Sequence, residues 1–190
     1  MSEYKSCFFI GHREADERLL SRLELVIDRL IRDEDVRYFY VGSYGGFDRI
    51  AAAAVKRAKQ KYPDITLMLV LPYHPAERVI PTPNGFDGTY YPDGLENTPR
   101  RYAIVRTNLI MVNTCDWLVC YVCHGASNSR NLLEYARRRE EKSLIQIINI
   151  RESGVEQNEE ENTVDRRNIC CGSGADCWYC AVHRSSKTRK

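Results

Sequence analysis

The stretch Tyr38-Phe39-Tyr40-Val41-Gly42-Ser43-Tyr44-Gly45-Gly46-Phe47-Asp48 runs directly into the alanine-rich segment Arg49-Ile50-Ala51-Ala52-Ala53-Ala54-Val55. An apolar run typical of a β-strand meets a glycine-rich turn, and the turn opens a helix. Glycines let the backbone bend tightly and approach a ligand closely, and the first turn of a helix offers N–H groups and a positive dipole end to an anion. The pattern is neither the Walker motif nor the dinucleotide motif G-x-G-x-x-G. The stretch therefore predicts a strand, a tight turn and a helix, with the turn either holding a phosphate or serving only as a turn.

The rest of the chain repeats this alternation of strand and helix. Apolar runs and helical periodicity predict strands at 7–10, 36–41, 65–71, 117–122 and 144–150, and helices at 14–32, 47–61, 99–111 and 130–141. The last but one of these helices is expected to bury Tyr102, Val105, Leu109 and Ile110. Residues 72–99 predict a long ordered loop with one short helix near 76–79. The alternation predicts an α/β protein with a Rossmann-like open parallel sheet and helices on both faces.

Four predicted turns follow strands, at Gly11, Gly42, Pro72 and Gly125. Open parallel sheets bind ligands at the carboxyl ends of their strands, where the strand order reverses. We therefore expect these four turns to converge on one crevice.

Composition narrows the class of protein. The chain has 190 residues, enough for one domain and a tail. A formal net charge of +2 does not point to a nucleic-acid partner. No apolar run approaches the roughly 20 residues that span a bilayer, and the start of the chain has no signal-peptide pattern. These features predict a cytoplasmic protein without a membrane partner.

The composition changes after residue 151. The chain is predicted to divide into a nucleotide-binding domain at 1–151, an acidic polar linker at 152–168 and a flexible, basic, cysteine-rich tail at 169–190. The tail carries the candidate metal ligands Cys170, Cys171, Cys177, Cys180 and His183, which are weak candidates for zinc because the spacing between their halves is short. Zinc is the only cofactor that the sequence suggests.

Four motifs follow one another along the chain: Phe8-Phe9-Ile10-Gly11-His12-Arg13, the Gly42 to Asp48 loop, Arg106-Thr107-Asn108 with Met111 and Cys115-Asp116, and the segment 125–136. Together they resemble the YpsA-like members of the SLOG superfamily, relatives of the LOG phosphoribohydrolases and of the DprA proteins. The first two resemble the opening strand with its turn and the second motif of that family, and the last is similar in position to its phosphate loop. The resemblance covers residues 7–150 and leaves the tail unmatched.

The resemblance implies a domain that binds a nucleotide or a nucleotide-derived ligand such as an ADP-ribose-type signal. Hydrolytic relatives cut a nucleoside monophosphate at its N-glycosidic bond and share the loop P-G-G-x-G-T-x-x-E. The comparable run here is His124-Gly125-Ala126-Ser127-Asn128-Ser129-Arg130-Asn131-Leu132, so Leu132 falls where their catalytic carboxylate stands. Glu134 follows two residues later, on a different side of the helix. Such a hydrolase needs a carboxylate to stabilise an oxocarbenium-like charge and to activate water, so this departure favours binding over cleavage.

The predicted ligand-binding residues come from all four motifs and from the turn at Pro72. They are Gly11, His12, Arg13, Gly42, Ser43, Tyr44, Gly45, Gly46, Phe47, Asp48, Pro72, Arg106, Asn108, Gly125, Ser127, Asn128 and Ser129. Phosphate contacts are expected from the backbone of Gly45 and Gly46 and from the hydroxyls of Ser127 and Ser129, and base stacking from Tyr44 and Phe47. Asp48 is either a favourable partner of the helix dipole or an acceptor for a ribose hydroxyl or an adenine amine.

Three functions remain open from the sequence. The first is a nucleotide binder that acts as a sensor or sequesters a signal, and that the resemblance implies to be a homodimer. The second is a nucleotide N-glycosidase or phosphoribohydrolase that uses Asp48 or Glu134 as its carboxylate. The third is a protein-interaction module with a zinc-like tail.

Overall fold

The computed structural model describes residues 4–77, 79–122 and 128–151. The strands are β1 (Lys5–Gly11), β2 (Val36–Val41), β3 (Thr66–Val70), β4 (Gly88–Tyr90), β5 (Trp117–Tyr121) and β6 (Gln146–Asn149). The helices are α1 (Leu19–Glu34), α2 (Gly46–Lys61), α3 (Ala103–Thr114) and α4 (Asn128–Glu140), with a short 3₁₀ turn, Arg100–Tyr102, before α3. The predicted linker and tail, with all the candidate zinc ligands, lie outside the described residues.

The six strands form one parallel sheet in the order β4-β3-β2-β1-β5-β6. The chain moves outward from β1 to β4 and then crosses back to place β5 on the other side of β1. Because crossovers between parallel strands are right-handed, this reversal of direction moves the helices to the opposite face. The predicted Rossmann-like α/β fold is confirmed, and the strand order reverses between β1 and β5.

Two hydrophobic clusters cover the two faces of the sheet. Successive side chains of a strand point to opposite faces, so β1 sends Cys7 and Phe9 into the cluster under α1 and α2, and Phe8 and Ile10 into the cluster under α3 and α4. On the first face, the ring centroids of Phe9 and Phe39 lie 6.2 Å apart. Burial on both faces explains why the central strands are apolar without alternation.

Helix α1 begins later than its periodicity predicts. The predicted start was residue 14, but the helix begins at Leu19. The Asp16 carboxylate accepts a hydrogen bond from the Arg18 N–H at 2.8 Å, and the Arg13 carbonyl accepts one from the Gly46 N–H at 2.7 Å. These contacts hold the segment after β1 as a loop against α2, so tertiary hydrogen bonds override its helical pattern.

Helix α3 buries only part of the face predicted, since Leu109 and Ile110 are half-buried and Leu109 packs against the core. Tyr102 and Val105 are 52% and 40% exposed. The buried positions include Ala103, Thr107 and Met111, which are four residues apart. The buried positions 103 and 107 hold small side chains, which a search for large apolar residues does not reveal.

The proline-rich segment between β3 and α3 contains a strand that the sequence analysis missed. β4 has only three residues and pairs in parallel with β3. The residue before it, Asp87, accepts a hydrogen bond from the Leu67 N–H at 2.7 Å and one from Lys59 Nζ at 2.6 Å. The predicted short helix near 76–79 is a turn at 75–77. Pairing with β3 and the Asp87 carboxylate thus hold β4 in place. No apolar run in the sequence predicts this strand.

Among the described residues, no helix is both long and apolar enough to cross a membrane. Cytoplasmic location and the homodimer stay predictions.

The buried thiols Cys7, Cys115 and Cys120 lie in the core. Burial raises the pKa of Cys115 to about 12, so this thiol stays protonated and inert at neutral pH.

Candidate functional site

The carboxyl ends of all six strands lie at one edge of the sheet because all the strands are parallel. Three of the four turns predicted to converge are at this edge: Gly11 ends β1, Gly42 follows β2, and Pro72 lies just beyond β3. The fourth, Gly125, is outside the described residues. The carboxyl edge is therefore the candidate site.

A stacked aromatic pair lies beside the point of strand reversal. The rings of Phe47 and Tyr121 stack with centroids 6.0 Å apart and planes 21° apart. Phe47 has no exposed surface. A Cβ at Gly11 would overlap the Phe47 side chain. The expected role of Phe47 as a stacking surface for a base is therefore corrected, because its ring is a core element that closes the end of β1.

The start of α2 is occupied by the chain itself. The Gly46 N–H donates to the Arg13 carbonyl at 2.7 Å, and the Phe47 N–H donates to the His12 carbonyl at 3.4 Å. A Cβ at Gly46 would stand 2.6 Å from the Arg13 carbonyl oxygen, so glycine is needed for this close approach. A phosphate on these N–H groups, as the sequence predicts, would have to displace the loop after β1.

Asp48 acts on the glycine loop from within α2. Its Oδ2 accepts hydrogen bonds from the Tyr44 N–H at 2.9 Å and the Gly45 N–H at 3.2 Å. Burial raises the pKa of the Asp48 carboxyl, and the two N–H donors only partly oppose that rise. A Cβ at Gly42 would stand 2.9 Å from the same oxygen. Of the two readings of Asp48, the geometry supports a structural one, in which its carboxylate holds the loop closed.

Other predicted residues of the first two motifs differ in exposure. His12 is half-buried, and its ring meets Tyr121 edge-on at 6.2 Å. Arg13 and Ser43 are exposed, and Tyr44 is 39% exposed. Gly45, and not Ser43, is the residue at the start of α2, and no side-chain cap is formed there.

The start of α4 meets the end of β1. Ser129 is half-buried, and its hydroxyl donates to the Gly11 carbonyl at 3.3 Å. This bond joins two predicted ligand residues across the point where the strand order reverses. Asn128 beside it is exposed. Ser127 and Gly125 fall outside the described residues.

Two positions of α4 were compared with the catalytic carboxylate of the hydrolases, and neither holds an unpaired carboxylate. Leu132 is 5% exposed and packs in the cluster under α3 and α4. Glu134 accepts a hydrogen bond from Arg130 Nε at 3.1 Å on the exposed side of the helix. Glu134 is thus paired one helical turn along the same helix, as expected of a surface residue.

Helix α3 contributes two more predicted residues. Arg106 is exposed and Asn108 is half-buried. Both lie off the row of buried positions Ala103, Thr107 and Met111. Their role toward a ligand stays a prediction.

Sequence reasoning missed a cavity beside Pro72. The cavity has a volume of about 210 Å³, and its lining includes His74, Tyr91 and Arg100. The available signal was the run Pro72-Tyr73-His74 directly after a buried strand, at the edge where ligands bind. The sequence analysis treated residues 72–99 as a loop and missed β4. It therefore did not predict that Tyr91, which follows β4, lines the same cavity as Pro72.

The candidate zinc ligands cannot be placed because they fall outside the described residues. Among residues 4–77, 79–122 and 128–151, no group of three or more histidine, cysteine or acidic side chains is arranged to hold a metal ion. Zinc in the tail stays a prediction.

Comparison with known proteins finds a likeness of fold. No protein-family model matches the chain, and no curated protein sequence matches it. The chain is similar to a solved structure of DNA processing protein A from Helicobacter pylori, with 15% identity, a TM-score of 0.46 and 78% of each chain covered. That study describes a single-stranded DNA binding mode of the Helicobacter protein. At this identity the likeness concerns the Rossmann-like fold.

One expectation is contradicted by this comparison. The net charge predicts that a nucleic-acid partner is improbable, whereas the Helicobacter protein is described as binding single-stranded DNA. The inference from charge was wrong because net charge is a sum over the whole chain and does not report where basic residues lie.

Proposed function

We propose that this chain binds a nucleotide, of which the AMP unit is the recognised part, in the crevice between the ends of β1 and β5. The observation that carries the proposal is the hydrogen bond from Ser129 to the Gly11 carbonyl. It draws the start of α4 against the end of β1 where the strand order reverses, which is where open α/β sheets bind ligands. The positive end of α4 then faces the crevice and favours a phosphate.

Binding without cleavage is the form of this function that the carboxylates support. Asp48 Oδ2 is held by two backbone N–H groups, and Glu134 is paired with Arg130. Leu132 supplies no carboxylate at the position where the hydrolytic relatives have theirs. Both candidate carboxylates are thus engaged by groups of the chain itself, which favours binding over glycosidic hydrolysis, a reaction that needs a carboxylate at the ribose ring.

A sensor or a sequestering binder in the manner of the YpsA-like SLOG proteins fits these features. A nucleotide held between β1 and β5 would contact the loop after β1 and the start of α4. Its AMP unit is shared by free AMP and by ADP-ribose-type signals, so both belong to the proposed ligand class.

Titration calorimetry of the full chain with AMP, ADP-ribose and a single-stranded DNA oligonucleotide tests the proposal. We expect saturable binding of AMP or ADP-ribose and no release of free adenine on prolonged incubation. Binding of the oligonucleotide alone would overturn the proposal. If adenine is released and this release is lost in Asp48→Asn or Glu134→Gln, the protein is a hydrolase and the proposal of binding without cleavage is overturned.

A further inference from the structure

A cavity of about 210 Å³ opens at the carboxyl ends of β3 and β4, which are the second and third strands from β1 in the sheet. Three segments that are distant in sequence build its apolar floor: Pro72 follows β3, Leu95 follows β4, and Ala103 is the first residue of α3. Leu95 and Ala103 are each only 3% exposed. Apolar side chains are typical of the lining of small-molecule pockets.

Aromatic side chains form the walls. The ring of His74 meets the ring of Tyr91 edge-on, with centroids 5.2 Å apart and planes 83° apart. His74 Nδ1 accepts a hydrogen bond from the Ala76 N–H at 3.1 Å, which fixes the ring and leaves Nε2 as its donor when the ring is neutral. The Arg100 guanidinium lies 5.0 Å from the centroid of the Tyr73 ring. The walls are therefore ordered by contacts within the chain.

The rim combines acceptors and donors. Glu77 and Glu96 both line the cavity, and Arg100 lies on the same rim. Burial raises the pKa of the Tyr91 phenol, and the nearby charges of Glu96 and Glu77 raise it further. The phenol therefore remains a neutral hydroxyl beside two carboxylates. Carboxylates accept hydrogen bonds from amines, and aromatic walls stack on or pack against a heterocycle.

We propose that this cavity holds the base of the nucleotide, a heterocycle with an exocyclic amine, while its phosphate lies near β1 and α4. The proposal rests on the proposed function. The volume is below the range of about 300–1,000 Å³ for whole-ligand pockets, so the cavity takes one part of a ligand. Strands in a sheet lie about 4.8 Å apart, so β3 and β1 are about 10 Å apart. The base, ribose and phosphate of one extended nucleotide bridge such a separation.

The test compares AMP with ribose 5-phosphate, which has the same phosphate and ribose but no base. Calorimetry measures both affinities in the full-length wild type and in Tyr91→Ala and Glu96→Gln. We expect each variant to weaken AMP binding by about tenfold, equivalent to about 1.4 kcal/mol, and to leave ribose 5-phosphate binding unchanged. Tyr102→Ala, at a tyrosine that is 52% exposed and does not line the cavity, is the matched control and should change neither affinity.

The outcomes separate this inference from the proposed function. If the wild type binds neither compound, both fail. If AMP binds but the variants leave it unchanged, or weaken both compounds equally, the base lies elsewhere and only this inference is overturned. Circular dichroism checks the folding of Tyr91→Ala, and the exposed Glu96→Gln provides the same comparison if that variant does not fold.

Discussion

The side chain of Phe47, from the first turn of α2, occupies the space where a Cβ on Gly11 would stand at the end of β1. The same ring stacks on Tyr121 at the end of β5. One buried phenylalanine thus ties α2 to the two strands between which the strand order reverses. The glycine ending β1 is required by packing, whether or not a ligand is present.

Replacing Gly11 with alanine should therefore destabilise the fold. The added methyl group would displace the Phe47 ring, and overpacking of this kind costs about 1–3 kcal/mol. Gly88→Ala is the matched control, because the nearest atom to its Cβ is the flexible end of Met68 at 3.1 Å. Urea unfolding should show a loss in Gly11→Ala and a change within about 1 kcal/mol in Gly88→Ala. Equal stability of both variants would show that Phe47 can move freely.

The stability of the wild type relative to Asp48→Asn should fall as pH rises. Burial raises the pKa of Asp48 above its ordinary value of 3.8. A raised carboxyl pKa in the folded state gives stability that is complete below 3.8 and lost as pH rises through the folded pKa. Urea unfolding of the wild type and Asp48→Asn, from below pH 3.8 up to neutral pH, measures the difference in their free energies of unfolding. A difference that grows with pH would mean that the N–H bonds from Tyr44 and Gly45 outweigh burial.

Asp87→Asn should show the opposite dependence. Burial would raise the pKa of Asp87, but the Lys59 hydrogen bond, the Leu67 N–H and the Lys59 charge together lower it. The stability that Asp87 gives is then present above 3.8 and lost as pH falls through the folded pKa. Relative to Asp87→Asn, the wild type should gain stability as pH rises through that window in the same urea measurements. A flat profile would show that the Lys59–Asp87 pair is screened by solvent.

The parts of the fold that hydrophobic patterns specify were predictable, and the parts fixed by single contacts were not. The strands β1, β2, β3 and β5 are mostly apolar because they are buried on both faces. Their apolar runs therefore allow these strands to be predicted from the sequence. β4 is held by pairing with β3 and by Asp87, which no periodicity encodes. The shortened α1 depends on a contact between Arg13 and Gly46 that are 33 positions apart in the printed sequence.

The candidate site shows the same division. The carboxyl edge and the turns at Gly11, Gly42 and Pro72 followed from the order of strands and helices. The role of the glycine loop at that edge could not be predicted in this way. A helix start that is free to bind an anion has the same sequence pattern as one whose N–H groups are bonded to Asp48 and to the Arg13 carbonyl. Only the contacts distinguish an anion site from a packed corner.

Thr107→Val should leave the protein as stable as before or make it more stable. The Thr107 hydroxyl is buried, with the side chain 3% exposed, and has no hydrogen-bond partner within the described part of the chain. An unpaired buried hydroxyl costs about 1–3 kcal/mol, and valine removes it while keeping a similar shape. Thermal unfolding of the two proteins is the measurement. A loss of stability of about 1 kcal/mol or more would reveal a partner, such as a bound water, for this hydroxyl.

The amide signals of the protein should show which helix start receives the phosphate. The N–H groups at the start of α2 already donate hydrogen bonds within the chain: that of Gly45 to the Asp48 carboxylate, and those of Gly46 and Phe47 to the Arg13 and His12 carbonyls. AMP should therefore move their resonances little. If the proposed function holds, the amides of Ser129 and Arg130 at the start of α4 should move most, because the positive end of that helix faces the crevice. Titration of ¹⁵N-labelled protein with AMP and with adenosine makes the comparison, and the Ser129 shift should shrink with adenosine, which has no phosphate. Large shifts at Gly45 and Gly46 with AMP alone would mean instead that the loop after β1 leaves α2 and that the glycine loop binds the anion.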